Sequence, residues 1–286
     1  MAKNVSNKTI DNVTIRFAGD SGDGMQLSGG RFTQTSAVVG NDLSTLPDFP
    51  AEIRAPAGSV AGVSSFQIHF SSQEIHTPGE KPDVLVAMNP AALKVHLKDL
   101  VPGGTLIVNK NAFTKKNLTL AGYEDDPTED GSLVDYYSTH FIEMGKLVTN
   151  ACEGIDIPSK MVDRTKNLCA LGVLFWMYDR PLEPTIDWLN QKFKSKPDII
   201  EANVRALNAG YNYGDTAEIF TTRFIVEKAK LPRGKYRNMN GTLASCLGIL
   251  TAAEKSNLGI TFAGYPITPA SNILHTLSNW KQFGIK

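Results

Sequence analysis

The stretch VTIRFAGDSGDGM, residues 13–25, reads as a β-strand that leads into a glycine-rich turn. Its first six residues are mostly β-branched or aromatic, a composition that favours a strand. Glycine and aspartate fill the turn, and residues 26–39 then follow a helical pattern. A strand, a loop and a helix in this order open a βαβ unit, so the stretch predicts an α/β domain.

Further along the chain, predicted strands alternate with predicted helices. Three segments read as strands, at residues 60–70, 84–88 and 105–108. Residues 90–100 read as a helix with Asn89 at its N-cap. The short apolar runs VLVAM and TLIV are typical of strands that helices cover on both faces. We therefore predict a doubly wound, mostly parallel sheet, with a helical layer from residues 158–217 packed on it.

A second α/β region follows a polar, basic segment. Here the pattern predicts a helix at residues 242–255, a strand at 260–263 and a helix at 269–280. The predicted organisation is a first domain at residues 1–222, a linker at 223–240 and the start of a second domain at 241–286. These last 46 residues cannot bury a core of their own. They either dock on the first domain or belong to a longer one, and we expect that the sequence is truncated at its C-terminus.

Composition argues against two classes of partner. The formal net charge is zero, so no basic excess would attract nucleic acid or an anionic membrane. Residues 1–13 are polar and lack the apolar core of a secretion signal, and the sequence contains no apolar run of about 18 residues. We expect a cytoplasmic protein without a membrane span.

The sequence predicts no metal site within this chain. Cys152, Cys169 and Cys246 stand far apart, without a C-x-x-C motif, so they cannot build an iron–sulfur cluster or a zinc site. The five histidines lack the helical H-x-x-x-H spacing of zinc ligands. If electrons pass through the protein, another subunit carries them.

The glycine-rich loop is a candidate cofactor-binding element, through Gly19, Gly22 and Gly24. A strand precedes it and a helix follows, which is where backbone N–H groups can bind a phosphate. The dinucleotide motif G-x-G-x-x-G fails at its last position, Leu27. Asp20 and Asp23 would face a pyrophosphate there. Two like unit charges about 4 Å apart repel each other by roughly 1 kcal/mol in water and by roughly 4 kcal/mol at an effective dielectric of about 20. A tight turn with aspartates as turn and cap residues remains an equal alternative.

Arg54 is a second candidate for cofactor binding. It lies in the loop PAEIRAPAG, residues 50–58, and its guanidinium could form a bidentate contact with a phosphate or a carboxylate. The alternative is a loop ion pair with Glu52 or another acid.

The turn YPITP, residues 265–269, is the candidate substrate site. Pro266 and Pro269 restrict the residues before them to extended conformations, so the turn should be rigid. Because it follows a predicted strand, it should lie at a carboxyl end, where open α/β sheets bind ligands. Thr268 is predicted as the N-cap of a helix that begins at Pro269, close to any anionic substrate. The alternative is that Thr268 is only a cap, contributing roughly 1 kcal/mol to stability.

These segments resemble a known family. YPITP, preceded by NGTLA at residues 240–244, resembles the opening of the pyrimidine-binding domain of 2-oxoacid:ferredoxin oxidoreductases. FAGDSGDGM, FPAEIRAPAG, FQIHF, VLVAMNPAAL and NLCALG resemble the γ domain of the same enzymes. A γ-like domain ahead of the α domain is similar to the α subunit of the two-subunit members, most closely the 2-oxoglutarate type.

The resemblance implies a reaction and a set of partners. The reaction is oxidative decarboxylation of a 2-oxoacid to acyl-coenzyme A and carbon dioxide, with electrons passing to ferredoxin. Thiamine diphosphate, Mg²⁺ and a [4Fe-4S] cluster would be held mainly by a partner β subunit. Thr268 would orient the substrate, beside the other turn residues Tyr265, Pro266, Ile267 and Pro269. The family's carboxylate that pairs with the pyrimidine ring should follow this motif, so the chain alone should lack a complete active site.

Two competing interpretations stay open. The first is an ordinary doubly wound NAD(P)-binding oxidoreductase, with Asp42 about 20 residues beyond the glycine loop as the ribose ligand. The failed glycine spacing and the two loop aspartates count against it. The second is a non-catalytic scaffold, in which the γ-like domain only joins subunits.

Overall fold

The structure, a computed structural model, describes residues 5–50, 55–217 and 220–283. The chain divides into two compact units, Met1–Pro232 and Arg233–Lys286. The first unit therefore continues past the predicted boundary at residue 222. The reason is a parallel strand pair, Ser6–Thr9 with Thr222–Ile225, which ties part of the predicted linker to the N-terminal segment.

The first unit contains eight strands and nine α-helices within the described residues. The strands are β1 Ser6–Thr9, β2 Asn12–Asp20, β3 Asp42–Asp48, β4 Val63–Ser71, β5 Val84–Ala87, β6 Thr105–Asn109, β7 Ser138–Ile142 and β8 Thr222–Ile225. The α-helices are α1 Met25–Val39, α2 Pro90–His96, α3 Lys115–Ala121, α4 Ser132–Tyr136, α5 Met144–Ala151, α6 Ser159–Arg164, α7 Lys166–Met177, α8 Glu183–Lys192 and α9 Pro197–Thr216.

Six strands form the main sheet, in the order β3-β4-β2-β5-β6-β7. The pairs β2–β5, β5–β6 and β6–β7 are parallel, whereas β4 runs antiparallel to both β2 and β3. All strands of this sheet except β4 consequently run in the same direction. The predicted doubly wound, mostly parallel sheet is confirmed.

Helices cover both faces of this sheet. Ile15 and Phe17 of β2 pack in one apolar cluster with α1 and α7, whereas Ala18 faces a second cluster that contains α2. The strands β5 and β6 divide their side chains between the same two clusters. Each fully buried Val, Leu, Ile or Phe contributes roughly 1.5–3 kcal/mol, which explains the apolar runs VLVA in β5 and LIV in β6.

The cap and the helical layer were predicted correctly. Asn89 precedes α2, and its Oδ1 accepts a hydrogen bond from the Ala92 N–H at 2.8 Å. Residues 158–217 form α6 to α9. The predicted strand at residues 60–70 begins three residues later, because Val60–Gly62 form a 3₁₀ turn.

The second unit contains α10, Gly241–Ser256, and α11, Ser271–Asn279. Cys246 and Leu277 are the buried residues of this helix pair. The strand predicted at residues 260–263 is not formed, since residue 260 makes only an isolated bridge and residues 261–267 have no regular secondary structure. A strand needs a row of paired neighbours to be stable, and the described part of the second unit contains no other strand residue.

A buried polar network joins β2, β4 and α2. Arg16 donates from Nε to Oε1 of Gln67 at 2.9 Å, and from Nη1 to Nδ1 of His96 at 3.1 Å. Arg16 also pairs with Asp99. Burial lowers the pKa of His96 to about 4, and the Arg16 charge acts in the same direction against the weaker opposing effect of Asp48 and Asp99. His96 is therefore neutral at pH 7.

We expect His96 to make the fold sensitive to acid. Its pKa is about 4 in the folded state against an ordinary 6.5, so the unfolded chain binds the proton more tightly. Stability should be lost as pH falls from 6.5 to 4, by about 3 kcal/mol in total. Urea unfolding of wild type and His96→Gln at pH 7 and pH 4.5 measures this loss, and His76→Gln, at an exposed histidine, is the control. Equal acid sensitivity in wild type and His96→Gln would contradict the expectation.

Candidate functional site

The glycine-rich loop connects the carboxyl end of β2 to the first turn of α1. The Asp23 N–H donates to the Asp20 carbonyl at 2.9 Å, which closes a tight turn. Oδ2 of Asp23 accepts a hydrogen bond from the Asp20 N–H at 2.9 Å, so the side chain braces the same turn. Gly24 is the N-cap of α1. The predicted alternative of a turn stabilised by aspartates describes this local geometry.

The three loop glycines have different environments. A Cβ on Gly24 would lie 2.2 Å from Nδ2 of Asn167, and its φ is +77°, so glycine is required there for both space and conformation. A Cβ on Gly19 would lie 2.9 Å from Oδ2 of Asp23. Gly22 has no atom within 4 Å of a built Cβ and no positive φ. Gly22 is therefore the loop position that a ligand can approach.

The two aspartates tie the loop to its surroundings. Oδ2 of Asp20 accepts the Gly58 N–H at 2.8 Å, and Nδ2 of Asn89 lies 3.4 Å from Oδ2 of Asp23. Burial raises the pKa of Asp20, with a further contribution from Asp23, and the Gly58 hydrogen bond opposes this. Burial likewise raises the pKa of Asp23, against the hydrogen bond from the Asp20 N–H. Two partly buried carboxyl groups make this loop unfavourable for a bare phosphate.

Buried acceptors without a donor surround the same loop. Within the described residues, Oδ1 of Asp20, Oδ1 of Asn109 and Oδ1 of Asn167 have no hydrogen-bond partner. Asn109 is held near the loop by a hydrogen bond from its Nδ2 to the Met88 carbonyl at 3.1 Å. Buried polar atoms normally have partners, so this region can accept hydrogen bonds from a donor-bearing ligand.

The loop lies at the topological switch point of the sheet. The connection from β2 through α1 leads to one side of the strand order, and the connection from β5 through α2 leads to the other. Open α/β sheets bind ligands at the carboxyl ends of the two strands where the order reverses. Asn89 follows β5 and contacts Asp23 across this point. Sequence reasoning missed Asn89, Asn109 and Asn167 as neighbours of the loop, although Asn89 and Asn109 each stand at the end of an apolar run.

Arg54 lies outside the described residues. The loop that follows it is anchored at Gly58 by the hydrogen bond to Asp20.

Asp42, the ribose ligand of the NAD(P) interpretation, lies at the wrong end of the sheet. It is the first residue of β3 and is level with Asn12, at the amino end of β2, because both pair with Ser71. The glycine loop follows the opposite end of β2. Oδ2 of Asp42 also accepts the Ile75 N–H at 2.8 Å. Asp42 therefore cannot act as the ribose ligand that the NAD(P) interpretation requires beside the glycine loop.

In the second unit, the turn at residues 265–269 is exposed, and Tyr265 retains 80% of its accessible surface. The peptide bond from Thr268 to Pro269 is cis. The prediction that Thr268 caps a helix is wrong, because α11 begins at Ser271 and its N-cap is Ala270. In the part of the chain that the structure describes, the Thr268 hydroxyl makes no hydrogen bond. It is therefore available to a ligand.

Two absences hold for the described residues. No group of three His, Cys, Asp or Glu side chains is placed to hold a metal ion. No helix is long and apolar enough to cross a membrane.

A mixed sheet with helices on both faces and a glycine loop at its switch point defines a doubly wound α/β protein. Residues 14–213 match the family model described as pyruvate ferredoxin/flavodoxin oxidoreductase. The chain belongs to this family.

Two relatives of the chain are subunits of 2-oxoglutarate-converting enzymes. A 2-oxoglutarate oxidoreductase subunit, KorA, of Mycobacterium tuberculosis is 52% identical over 276 residues, which cover 96% of this chain and 42% of that protein. A 2-oxoglutarate synthase subunit, KorC, of Methanothermobacter marburgensis is 37% identical over 107 residues, 36% of this chain and 54% of that protein. The chain thus spans less than half the length of the first of these relatives.

A solved structure shares the fold. The 2-oxoglutarate:ferredoxin oxidoreductase of Magnetococcus marinus, solved with 2-oxoglutarate, coenzyme A and succinyl-CoA bound, superposes with a TM-score of 0.71 at 22% identity. The match covers 97% of this chain and 43% of that one.

Proposed function

We propose that this chain is part of the α subunit of a 2-oxoacid:ferredoxin oxidoreductase that decarboxylates 2-oxoglutarate. The observation that carries the proposal is the 52% identity to the Mycobacterium tuberculosis subunit along 96% of this chain. The first unit is then a γ-like domain, and residues 241–286 open the pyrimidine-binding domain. The enzyme works in the cytoplasm with a β subunit and ferredoxin.

The described residues do not fit thiamine diphosphate, Mg²⁺ or an iron–sulfur cluster. No acidic or cysteine ligand set occurs among them, and Cys152, Cys169 and Cys246 are free and buried. The proposal assigns these groups mainly to the partner β subunit. Thiamine diphosphate supplies the carbanion chemistry of the family.

The described residues do fit part of coenzyme A. Gly22 leaves open space at the switch point, and the orphaned acceptors of Asp20 and Asn167 lie beside the loop. The amide N–H groups of the pantetheine arm are donors that would satisfy them. In this arrangement Gly19 and Gly24 shape the loop, Gly22 permits the approach of the ligand, and Arg54 offers a cation.

The turn at residues 265–269 would receive the 2-oxoacid. The exposed Thr268 hydroxyl can donate a hydrogen bond to a carboxylate or carbonyl oxygen. In this proposal the substrate also contacts the other residues of the turn, which are Tyr265, Pro266, Ile267 and Pro269.

The test is the assembled enzyme, made from the full-length α subunit and its β subunit. We expect reduction of a viologen dye that requires both 2-oxoglutarate and coenzyme A. Titration with NADH under the same conditions should show no binding to the α subunit. The scaffold interpretation would be favoured if dye reduction did not depend on 2-oxoglutarate, or if the α and β subunits assembled without any oxidoreductase activity.

A further inference from the structure

A second group of buried polar atoms lies at the end of the main sheet opposite the glycine loop. Arg180, just after α7, is 3% exposed, and its Nε and Nη2 have no hydrogen-bond partner among the described residues. The same holds for Oγ of Ser36 and Oδ1 of Asn41. The Arg180 guanidinium lies 4.9 Å from the ring centre of Phe70, which pairs with Val13 at the amino end of β2. Buried polar atoms normally have partners, so this region can bind a small polar ligand.

Contacts in the core bring the three polar residues together. Phe32 of α1 packs on Phe70, the ring that Arg180 covers, with ring centres 5.2 Å apart. Ser36 follows Phe32 by one helical turn and lies on the same face of α1. The Asn41 N–H donates to the Ser36 carbonyl at 3.1 Å. Arg180, Ser36 and Asn41 therefore border the same aromatic pair.

The segment after β8 supports the same placement. Tyr178, two residues before Arg180, stacks on Phe224 of β8, with ring centres 5.8 Å apart. Nδ2 of Asn41 donates to the main-chain carbonyls of residues 226 and 227, at 3.2 and 2.6 Å. The two ends of the polar group thus contact neighbouring parts of one short segment.

Arg180 has no counter-ion among the described residues. The adjacent carboxylate, Asp179, is directed to another cation, since its Oδ1 pairs with Nη2 of Arg223 at 2.7 Å. Burial lowers the pKa of Arg180 to about 10, and Asp179 opposes this, so the guanidinium stays charged at pH 7. The face of Phe70 attracts the cation, but it leaves the Nε and Nη2 donors unpaired. A buried cation needs an anionic, hydrogen-bonded partner to offset its desolvation.

The free atoms define what this partner must offer. Nε and Nη2 form one side of the guanidinium fork, which matches two oxygens of a planar anion. The Ser36 hydroxyl adds a third donor. Oδ1 of Asn41, in contrast, is an acceptor, and its orientation is fixed because Nδ2 donates to two carbonyls. The ligand must therefore be a small planar anion that also carries an O–H group.

Bicarbonate combines these properties, whereas formate lacks the O–H group and chloride lacks the planar pair of oxygens. We infer that bicarbonate binds at the amino end of the sheet, with its oxygens on Arg180 and Ser36 and its O–H group on Asn41. The site is separate from the glycine loop and from residues 265–269, so the inference does not depend on the proposed function.

Urea unfolding of the 286-residue chain in closed vessels at pH 8 tests the inference. The sodium salts of bicarbonate, formate and chloride are compared at equal ionic strength. At ten times its dissociation constant, bicarbonate should raise the folded-to-unfolded ratio about 10-fold. Formate should need about a 10-fold higher concentration, because it cannot donate to Asn41. Chloride should have no saturable effect.

Variants test the contribution of each group. Arg180→Met should abolish the effect of bicarbonate, because it removes the charged fork. Ser36→Ala keeps the cation and the fold, and it should raise the bicarbonate concentration that is required about 10-fold. Ser28→Ala is the matched control. Ser28 is a buried serine on the same face of α1, but its Oγ already donates to the Asn167 carbonyl at 3.2 Å, so the bicarbonate dependence should stay that of wild type.

A crystal structure of the chain grown in bicarbonate gives the direct test, and planar density should bridge Arg180 and Asn41. Water alone at this place, or the same unfolding curves in bicarbonate and chloride, would overturn the inference. Wild-type bicarbonate dependence in Ser36→Ala would overturn it as well, even if Arg180→Met were too unstable to measure. Equal effects of bicarbonate and formate would overturn the role of Asn41 and with it the choice of bicarbonate.

Discussion

Replacing Gly210 with alanine is expected to lower the free energy of unfolding of the first unit by about 3 kcal/mol. Gly210 lies in α9, and a Cβ there would stand 1.9 Å from the Cys169 carbonyl oxygen of α7. Gly172 makes the reciprocal contact, since its Cβ would lie 2.1 Å from the Leu207 carbonyl oxygen. The two helices touch backbone to backbone, so a methyl group must push them apart and open the core around Trp176. A gain of about 1 kcal/mol in helix propensity cannot offset this.

Urea unfolding of the complete chain, followed by tryptophan fluorescence, measures the effect. Gly30→Ala in α1 is the matched control, because no atom lies within 4 Å of the Cβ it would add. That variant should keep the stability of wild type or gain up to about 1 kcal/mol. A Gly210→Ala protein as stable as Gly30→Ala would show that α7 and α9 are not packed through their glycines.

The centre of the fold could be predicted from sequence, and its edges could not. β5 and β6 are buried on both faces. Each strand therefore contains a continuous run of apolar residues, and such a run can be recognised in the sequence of that segment alone. β3 and β7, the edge strands, are half-exposed and contain polar residues, so no local pattern marks them. β1 is fully exposed, and its pairing with β8 joins segments more than 200 residues apart. Such a strand exists because of a distant partner rather than its own composition.

The same distinction holds for the candidate site. The position of the glycine loop, after a strand and before a helix, could be predicted from local sequence. Its packing against Asn167 and its hydrogen bond to Gly58 could not, because these contacts join segments that are distant along the chain. The cap assigned to Thr268 was wrong although threonine before proline favours such a cap. Helix α11 begins only at Ser271, after a turn at residues 268–270.

Because Thr268 lies outside α11 and does not cap it, the effect of a substitution on activity can be separated from its effect on stability. Since Thr268 is not a helix cap, Thr268→Ala should leave the melting temperature close to that of wild type. If the hydroxyl orients the 2-oxoacid, the same change should lower kcat/KM of the assembled enzyme about 10- to 100-fold, equivalent to roughly 1.4–2.7 kcal/mol of transition-state stabilisation. Thr268→Ser keeps the hydroxyl and should retain most activity.

A matched control lies at the start of α11, close to the turn in sequence. The Ser271 hydroxyl donates to the Ile267 carbonyl at 3.1 Å, so it is already engaged within the protein. Ser271→Ala should therefore leave kcat/KM nearly unchanged, although it removes a hydroxyl three residues from Thr268. The measurement is 2-oxoglutarate-dependent viologen reduction by full-length α and β subunits, read beside a thermal melt. Wild-type kcat/KM in Thr268→Ala, or equal losses in Thr268→Ala and Ser271→Ala, would show that substrate binding does not depend on the Thr268 hydroxyl.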